Sequence, residues 1–186
     1  MTAPSGKPTV ASHRLFVASW PHDGWRERFG GALQKLEWAS GGRRVPVGNY
    51  HLTLAFLGPV ATDRVAPVEA ALGRIRAPAF ELTLDRVDYW PKPQVLCALA
   101  TELPPAAPKL VALLWQTLVR LGFKQDVRPF KAHLTLARRV ERRPTGGAIT
   151  PIAWPVDRLA LVESRGSSDG PVYAPLAFWP LTSSST

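Results

Sequence analysis

Residues 51–55 of the chain read HLTLA, and the same five letters recur at residues 133–137. Each copy lies in a run of residues typical of a β-strand, where successive side chains alternate between two faces. In each copy, the histidine and the threonine therefore share one face, and the two leucines share the other. A five-residue identity repeated once at long range predicts two similar halves, and not a short-period solenoid.

The repeat also predicts a shared cleft. If the two halves face each other, the imidazoles of His51 and His133 and the hydroxyls of Thr53 and Thr135 converge. Histidine has a reference pKa of about 6.5, so one ring can act as a base while the other acts as a protonated acid. The hydroxyls would donate hydrogen bonds to non-bridging phosphate oxygens. This set of groups suits phosphodiester cleavage.

The surrounding sequence predicts a mixed fold. Strands are predicted over 13–20, 49–58, 80–89, 95–101, 130–138, 156–164 and 172–179. Three helices are predicted. The first begins at Asp23, has Leu36 on its apolar face and ends at the Gly41-Gly42 pair; the second begins after the N-cap Thr62; and the third spans residues 108–121. The order β-α-β-α-β-β-α-β-β-β is typical of the α+β class.

Length and composition favour an ordinary globular protein of 186 residues with 46% apolar residues. We expect one domain over residues 10–181, with flexible tails over 1–9 and 182–186. No transmembrane run or secretory signal is evident, and one cysteine, Cys97, excludes an intrachain disulfide, so we expect a cytoplasmic protein.

The net charge of +9 favours a polyanionic partner or a phosphorylated substrate. An arginine-rich composition inherited from a GC-rich genome explains the charge equally well. The basic residues cluster at Arg43-Arg44 and over residues 138–143. The latter run could follow an RNA backbone or form a solvated loop.

Other candidate motifs are weaker. Residues 166–170 read GSSDG and match the G-x-S-x-G of serine hydrolases, but no histidine follows His133, as that fold requires, so we interpret them as a turn. No metal-ligand spacing accompanies the repeats, so we expect no metal and no other cofactor. His13 and His22 lack the neighbouring threonine and are interpreted as strand-edge or surface residues.

The chain resembles the two-histidine (2H) phosphoesterases, specifically the bacterial RNA 2′,3′-cyclic phosphodiesterases long called 2′-5′ RNA ligases. The likeness spans roughly residues 13–181. It rests on RLFVA at 14–18, NYHLTLAFLG at 49–58, RPFKAHLTLAR at 128–138 and LVES at 161–164. One departure is Ala132, where this family usually carries proline before the second histidine.

This resemblance implies a bilobal α+β fold with two pseudo-symmetric lobes, each an antiparallel sheet with helices outside, around a central metal-free cleft. It implies hydrolysis of a ribose 2′,3′-cyclic phosphate to the 2′-phosphate, with 2′-5′ ligation as the reverse reaction. By residue-by-residue correspondence, His51 would be the proton donor and His133 the proton acceptor, while Thr53 and Thr135 would hold the phosphate.

Further contacts are expected at the cleft. Arg138 corresponds to the family's arginine after the second motif, although strict alternation puts it on the leucine side unless the strand ends or bulges there. Lys131 shares the parity of His133, which fits the cleft mouth and a solvated strand lysine equally well. Base stacking and core packing are both open for four aromatic residues: Phe56, Trp90, Phe130 and Tyr173.

The expected partner is RNA carrying a 2′,3′-cyclic phosphate end, bound by a monomer without a membrane. Two alternatives remain open. The chain could be a non-catalytic RNA-binding module, or it could be a 2H phosphodiesterase that acts on another cyclic or 2′-5′-linked nucleotide. Turnover of a nucleoside 2′,3′-cyclic phosphate separates the first alternative from an enzyme.

Overall fold

The computed structural model describes residues 11–34, 41–143, 148–167 and 170–182. Within them lie nine strands and three α-helices. The strands are β1 (Ser12–Ser19), β2 (Arg43–Arg44), β3 (Leu52–Ala61), β4 (Phe80–Trp90), β5 (Val95–Leu99), β6 (His133–Arg138), β7 (Ala148–Val156), β8 (Arg158–Arg165) and β9 (Val172–Pro180). The helices are α1 (Asp23–Gln34), α2 (Val65–Leu72) and α3 (Ala106–Arg120). These elements confirm the predicted α+β class.

All nine strands belong to one antiparallel sheet with the order β7-β4-β5-β6-β3-β1-β8-β9, and β2 pairs with β6. Read outward from the centre, β3-β1-β8-β9 forms one half and β6-β5-β4-β7 forms the other. The second copy of the repeat lies on β6, and the first lies on β3 with His51 immediately before the strand, so both copies belong to the two central strands. The sheet therefore brings the two histidine motifs together at its middle.

The two halves meet at a narrow seam. Between β3 and β6, the paired residues are Leu52 and Leu134, which are equivalent positions of the two copies. Pairing of equivalent residues on antiparallel strands is what a local twofold axis through that pair requires. The antiparallel direction then brings His51 towards Thr135, and Thr53 towards His133. Each predicted lobe is thus half of a continuous sheet.

The main core lies on the side of the sheet that we call the helix face, because the helices pack there. It includes Leu52 and Leu134 from the motifs and the apolar side of α3. Leu114 and Leu118 of that helix are completely buried, and truncation of such a leucine costs about 2–5 kcal/mol. The opposite side, the cleft face, carries the histidines and threonines. Burial of the motif leucines therefore fixes which way the imidazoles point.

Two strands were missed by the sequence analysis. Strand β7 contains Pro151 and Pro155, which argue against a central strand, but β7 is an edge strand that pairs with β4 alone, where proline is tolerated. Strand β2 has two residues, too few for any periodic pattern.

Other predicted boundaries also shift. Thr62 is not the N-cap of α2. It begins a short 3₁₀ turn, and its hydroxyl donates to the Ala11 carbonyl at 3.0 Å. Thr182, predicted as part of a tail, donates its backbone N–H to Ala77 at 2.9 Å. The predicted tail residues 1–9 and 183–186 lie outside the described residues, as does Leu36 in the predicted extension of α1.

Candidate active site

The two imidazoles are held in the same way. Nδ1 of His51 donates to the Asn49 carbonyl at 2.7 Å, and Nδ1 of His133 donates to the Lys131 carbonyl at 2.8 Å. Each acceptor carbonyl belongs to the residue two positions before its histidine. The similarity of the two halves therefore includes the backbone hydrogen bond that orients each ring. Because a carbonyl can only accept, Nδ1 carries the proton in both rings, and Nε2 is left for chemistry.

Aromatic side chains enclose both rings. The His51 ring lies 4.9 Å from the Phe16 ring and 5.6 Å from the Trp20 ring, between ring centroids. The edge of Tyr173 meets the same imidazole at 4.9 Å. On the other half, Trp90 lies 4.7 Å from His133. This packing limits ring rotation, and it partly desolvates the imidazoles, which remain half-buried.

Burial and positive neighbours disfavour the charged form of both rings. The pKa of His51 is lowered to about 4: desolvation lowers it most, the hydrogen bond to Asn49 opposes this, and the charges of His133 and Arg138 also contribute to the lowering. Desolvation and Arg138 also lower the pKa of His133. Arg138 lowers the pKa of both rings and His133 lowers that of His51, so the three groups lie in one electrostatic neighbourhood.

The two threonines follow the alternation expected from the sequence. Thr53 lies opposite Ala18 on β1, and Thr135 lies opposite Cys97 on β5. Burial raises the pKa of Cys97 to about 12, so this thiol stays protonated and donates weakly to the Thr135 hydroxyl at 4.0 Å. Thr135 therefore remains a neutral hydroxyl that can turn its own proton towards the cleft.

A β-bulge brings Arg138 onto the cleft face. Thr135 pairs with Cys97 and Ala137 pairs with Leu96, so Leu136 is the extra residue of β6. The bulge reverses the alternation beyond it, which satisfies the condition set by the sequence for Arg138. Its guanidinium donates to the Tyr173 hydroxyl at 3.2 Å, across the two halves.

Strand β3 has its bulge at the equivalent residue. Thr53 pairs with Ala18 and Ala55 pairs with Val17, so Leu54 is the extra residue there. The repeat therefore encodes a bulge as well as the histidine and threonine. Its effect is to turn Phe56, the counterpart of Arg138, onto the cleft face.

The remaining predicted contacts differ in their surroundings. Phe56 is 48% exposed, and the Arg14 guanidinium lies 4.8 Å from its ring centroid, so stacking of a base on Phe56 stays a prediction. Phe130 packs against the main core, which favours a structural role. Lys131 is exposed and supplies the carbonyl that holds His133. Tyr173 contacts His51 and Arg138, so its ring and hydroxyl already have partners.

Sequence reasoning missed several residues of this site. Phe16 and Trp20 pack on His51, and Asn49 anchors it. Phe16 and Trp20 lie in the predicted strand 13–20, and Asn49 lies in the predicted strand that carries the first motif. The sequence did contain a signal for Asn49. It stands two residues before His51, just as Lys131 stands two residues before His133. Asn49 also donates its side-chain amide to the Pro171 carbonyl at 2.9 Å.

The other two histidines are paired with carboxylates. Nδ1 of His13 lies 2.6 Å from the buried Glu163, which Arg165 also contacts. His22 lies 3.3 Å from Asp157. The described residues contain no group of three or more His, Cys, Asp or Glu side chains placed to hold a metal ion. Among their helices, none combines the length and apolar character needed to cross a membrane.

The lowered pKa values predict an acid-shifted pH profile for kcat/KM. Acid–base catalysis by this pair would require one charged and one neutral imidazole, and both pKa values are lowered, so we expect a bell-shaped curve with its maximum below pH 6.5. Arg138→Gln removes a positive charge that lowers both values, so it should move the maximum to higher pH. Initial rates between pH 4 and 9 measure this. A maximum above pH 7 in the wild type would contradict the expected profile.

Comparisons with known proteins agree with this architecture. The family model described as LigT like phosphoesterase matches residues 25–97. The RNA 2′,3′-cyclic phosphodiesterase of Escherichia coli K12 is 34% identical over 145 residues, which cover 76% of this chain and 81% of that protein. The enzyme of the same name from Thermus thermophilus is 34% identical over 181 residues, covering 88% of this chain and 87% of that protein.

Solved structures give the same result. The crystal structure of E. coli LigT complexed with 3′-AMP matches with a TM-score of 0.80 at 32% identity, covering 92% of this chain and 99% of that one. A twofold-related sheet with a histidine motif on each central strand defines the class of two-histidine phosphoesterases. Within this class, the chain belongs to the LigT-like family of RNA 2′,3′-cyclic phosphodiesterases.

Proposed function

We propose that this protein hydrolyses the 2′,3′-cyclic phosphate at an RNA or nucleoside end to the 2′-phosphate. The observation that carries the proposal is the pair of imidazoles anchored at Nδ1 on equivalent strands, each followed two residues later by a threonine hydroxyl on the same face. Relatives named RNA 2′,3′-cyclic phosphodiesterase, from the Escherichia and Thermus enzymes to one from Archaeoglobus fulgidus, support the substrate class.

The chemistry follows from the two free Nε2 atoms. Nε2 of His133 takes a proton from water as the water oxygen attacks phosphorus, and the bond between phosphorus and O3′ breaks. The protonated Nε2 of His51 gives its proton to the departing O3′. One proton is taken and one is given, so the pair ends in the opposite protonation state and is reset by exchange with solvent.

Three groups suit the stabilisation of the phosphoryl charge. The hydroxyls of Thr53 and Thr135 and the guanidinium of Arg138 can donate to the non-bridging oxygens. Arg138 supplies charge as well as hydrogen bonds, and a bound phosphate anion opposes its effect on the histidine pKa values. Substrate binding should therefore raise the pKa of His51 and prepare it to donate a proton.

The regiochemistry of the product tests the reaction. An RNA labelled near its 3′ end and carrying a 2′,3′-cyclic phosphate should yield a 2′-phosphate alone, because cleavage of the bond to O3′ is the step that His51 assists. Chromatography against authentic 2′- and 3′-phosphate standards distinguishes the products. A 3′-phosphate would contradict the proposal. Tight binding without turnover would support the alternative of an RNA-binding module.

Chelation should leave the activity unchanged. Both proton transfers and the charge stabilisation are assigned to side chains of the chain, so no divalent ion takes part in the proposed steps. Rates measured after dialysis against EDTA should equal those measured with added Mg²⁺ or Zn²⁺. Loss of activity in EDTA with recovery on addition of a metal would overturn the mechanism.

Four further expectations extend the proposal. The enzyme acts as a monomer, it works in the cytoplasm, and it forms 2′-5′ linkages when a 5′-hydroxyl takes the place of water. Residues 10–181 act as one domain. Size-exclusion chromatography with light scattering and an assay with a 5′-hydroxyl RNA acceptor test the oligomeric state and the ligation.

A further inference from the structure

Arg43 lies next to Arg138 on the cleft face. The two residues are directly opposite each other in the antiparallel pair of β2 and β6, and opposite residues project to the same side of a sheet. Arg44 pairs with Ala137, one residue earlier on β6, and so belongs to the opposite face. Of the two arginines of β2, Arg43 is therefore the one beside the candidate active site.

The bulge at Leu136 sets the position of Arg43. The Leu136 carbonyl accepts from the backbone N–H of Val45 at 2.8 Å, which fixes β2 against the end of β6. The same bulge turns Arg138 onto the cleft face. Leu136 thus turns Arg138 onto the cleft face and also binds the backbone of the segment that carries Arg43.

The far end of the Arg43 side chain rests against Gly170. A Cβ atom on that glycine would lie 3.6 Å from Nη1 of Arg43, and Gly170 has a φ of +105°, which favours glycine. The neighbouring Pro171 carbonyl accepts from the amide of Asn49, the residue that anchors His51. The Arg43 guanidinium therefore lies at the cleft mouth, on a segment tied to the proton donor.

We propose that Arg43 binds the phosphodiester on the 5′ side of the terminal nucleotide, so that the enzyme prefers RNA ends to mononucleotides. This inference rests on the proposed function. In the proposed function, Thr53, Thr135 and Arg138 bind the reacting cyclic phosphate. The other phosphate next to the terminal nucleotide is the phosphodiester on its 5′ side, which is therefore the one left for Arg43. Neighbouring strands lie about 5 Å apart, so two arginines on them can engage consecutive phosphates of one chain. Guanidinium suits this contact because it binds phosphate with two parallel hydrogen bonds.

Two substrates that differ by this phosphate provide the test. One is adenosine 2′,3′-cyclic phosphate, and the other is adenylyl-(3′→5′)-adenosine 2′,3′-cyclic phosphate. The wild type should have the higher kcat/KM for the dinucleotide. Arg43→Gln should lower kcat/KM for the dinucleotide about tenfold more than for the mononucleotide, as expected for loss of one charge-assisted phosphate contact. It should also reduce the salt dependence of the dinucleotide reaction by about one phosphate contact.

Two controls sharpen the result. Arg44→Gln removes the same charge from the same strand on the opposite face, and it should keep the wild-type preference. A dinucleotide with a neutral methylphosphonate at the internal linkage should lose the preference in the wild type. Equal losses on both substrates in Arg43→Gln, or no wild-type preference, would overturn the inference. Absence of wild-type turnover of both substrates would instead overturn the proposed function, and this inference with it.

Discussion

Replacing His51 or His133 by alanine should lower kcat by about 10²–10⁴-fold, the contribution expected of one general acid or base. In the proposed mechanism the two rings act in one step, so the double variant should lose far less than the product of the single losses. Steady-state kinetics on a nucleoside 2′,3′-cyclic phosphate measure this, with circular dichroism to confirm folding. His22→Ala is the matched control, because that ring faces Asp157 at the surface. If His22→Ala were as damaging as His133→Ala, the site would be wrongly assigned.

A change of leaving group separates the two roles. A nitrophenyl phosphodiester needs no proton on its leaving group, so it should restore much of the activity of His51→Ala. His133→Ala should stay impaired, because water must still lose a proton. Rescue of His133→Ala in place of His51→Ala would mean that the donor and acceptor are reversed, with the same two residues forming the site.

Replacing Thr53 or Thr135 by valine should lower kcat by about 10²–10³-fold, the range for removing one hydrogen-bond donor to a developing oxyanion. Valine keeps the branched shape and the strand preference of threonine, so the change isolates the hydroxyl. Thr135→Val also removes the acceptor of the weak Cys97 hydrogen bond, whose loss costs little. The measurement is kcat and KM on the same substrate as for the histidine variants.

Thr83→Val is a suitable control for this pair, since Thr83 is an exposed threonine on β4. Its activity and thermal stability should match the wild type. Equal effects of Thr83→Val and Thr135→Val on kcat would show that the loss comes from the strand and not from a hydroxyl beside the phosphate.

The sequence predicts that the histidine and threonine of each motif share a face, because this follows from strand alternation. His51 and Thr53, and their counterparts in the second copy, lie on one face of β3 and β6, with the leucines buried behind them. Leucine burial is a strong term in the folding free energy, and it sets the register of both strands. The same term explains why the α+β class and most strands could be predicted.

The residues beyond the bulges could not be predicted in the same way. The sequence of the second motif does not indicate that Leu136 lacks a partner on β5. The face on which Arg138 lies is set by the pairing of β6 with β5, which the sequence alone does not reveal. Arg43 is a stronger case, because its place follows from a two-residue strand fixed by that bulge. Strand β7 was missed because its prolines argue against a strand in the interior of a sheet. They are tolerated at an edge, and only the assembled sheet shows that β7 is an edge strand.

Within the sheet, the two halves meet at the narrow seam of the Leu52–Leu134 pair. On the cleft face, the hydrogen bond from Arg138 to Tyr173 also links the two halves. A guanidinium has five N–H donors, so Arg138 can keep Tyr173 while it binds a phosphate. A phosphate bound by the hydroxyls of Thr53 and Thr135, one from each half of the sheet, would then link the two halves. Substrate binding should therefore make the seam between β3 and β6 more rigid. The bound substrate would in this way help to align the catalytic residues that act on it.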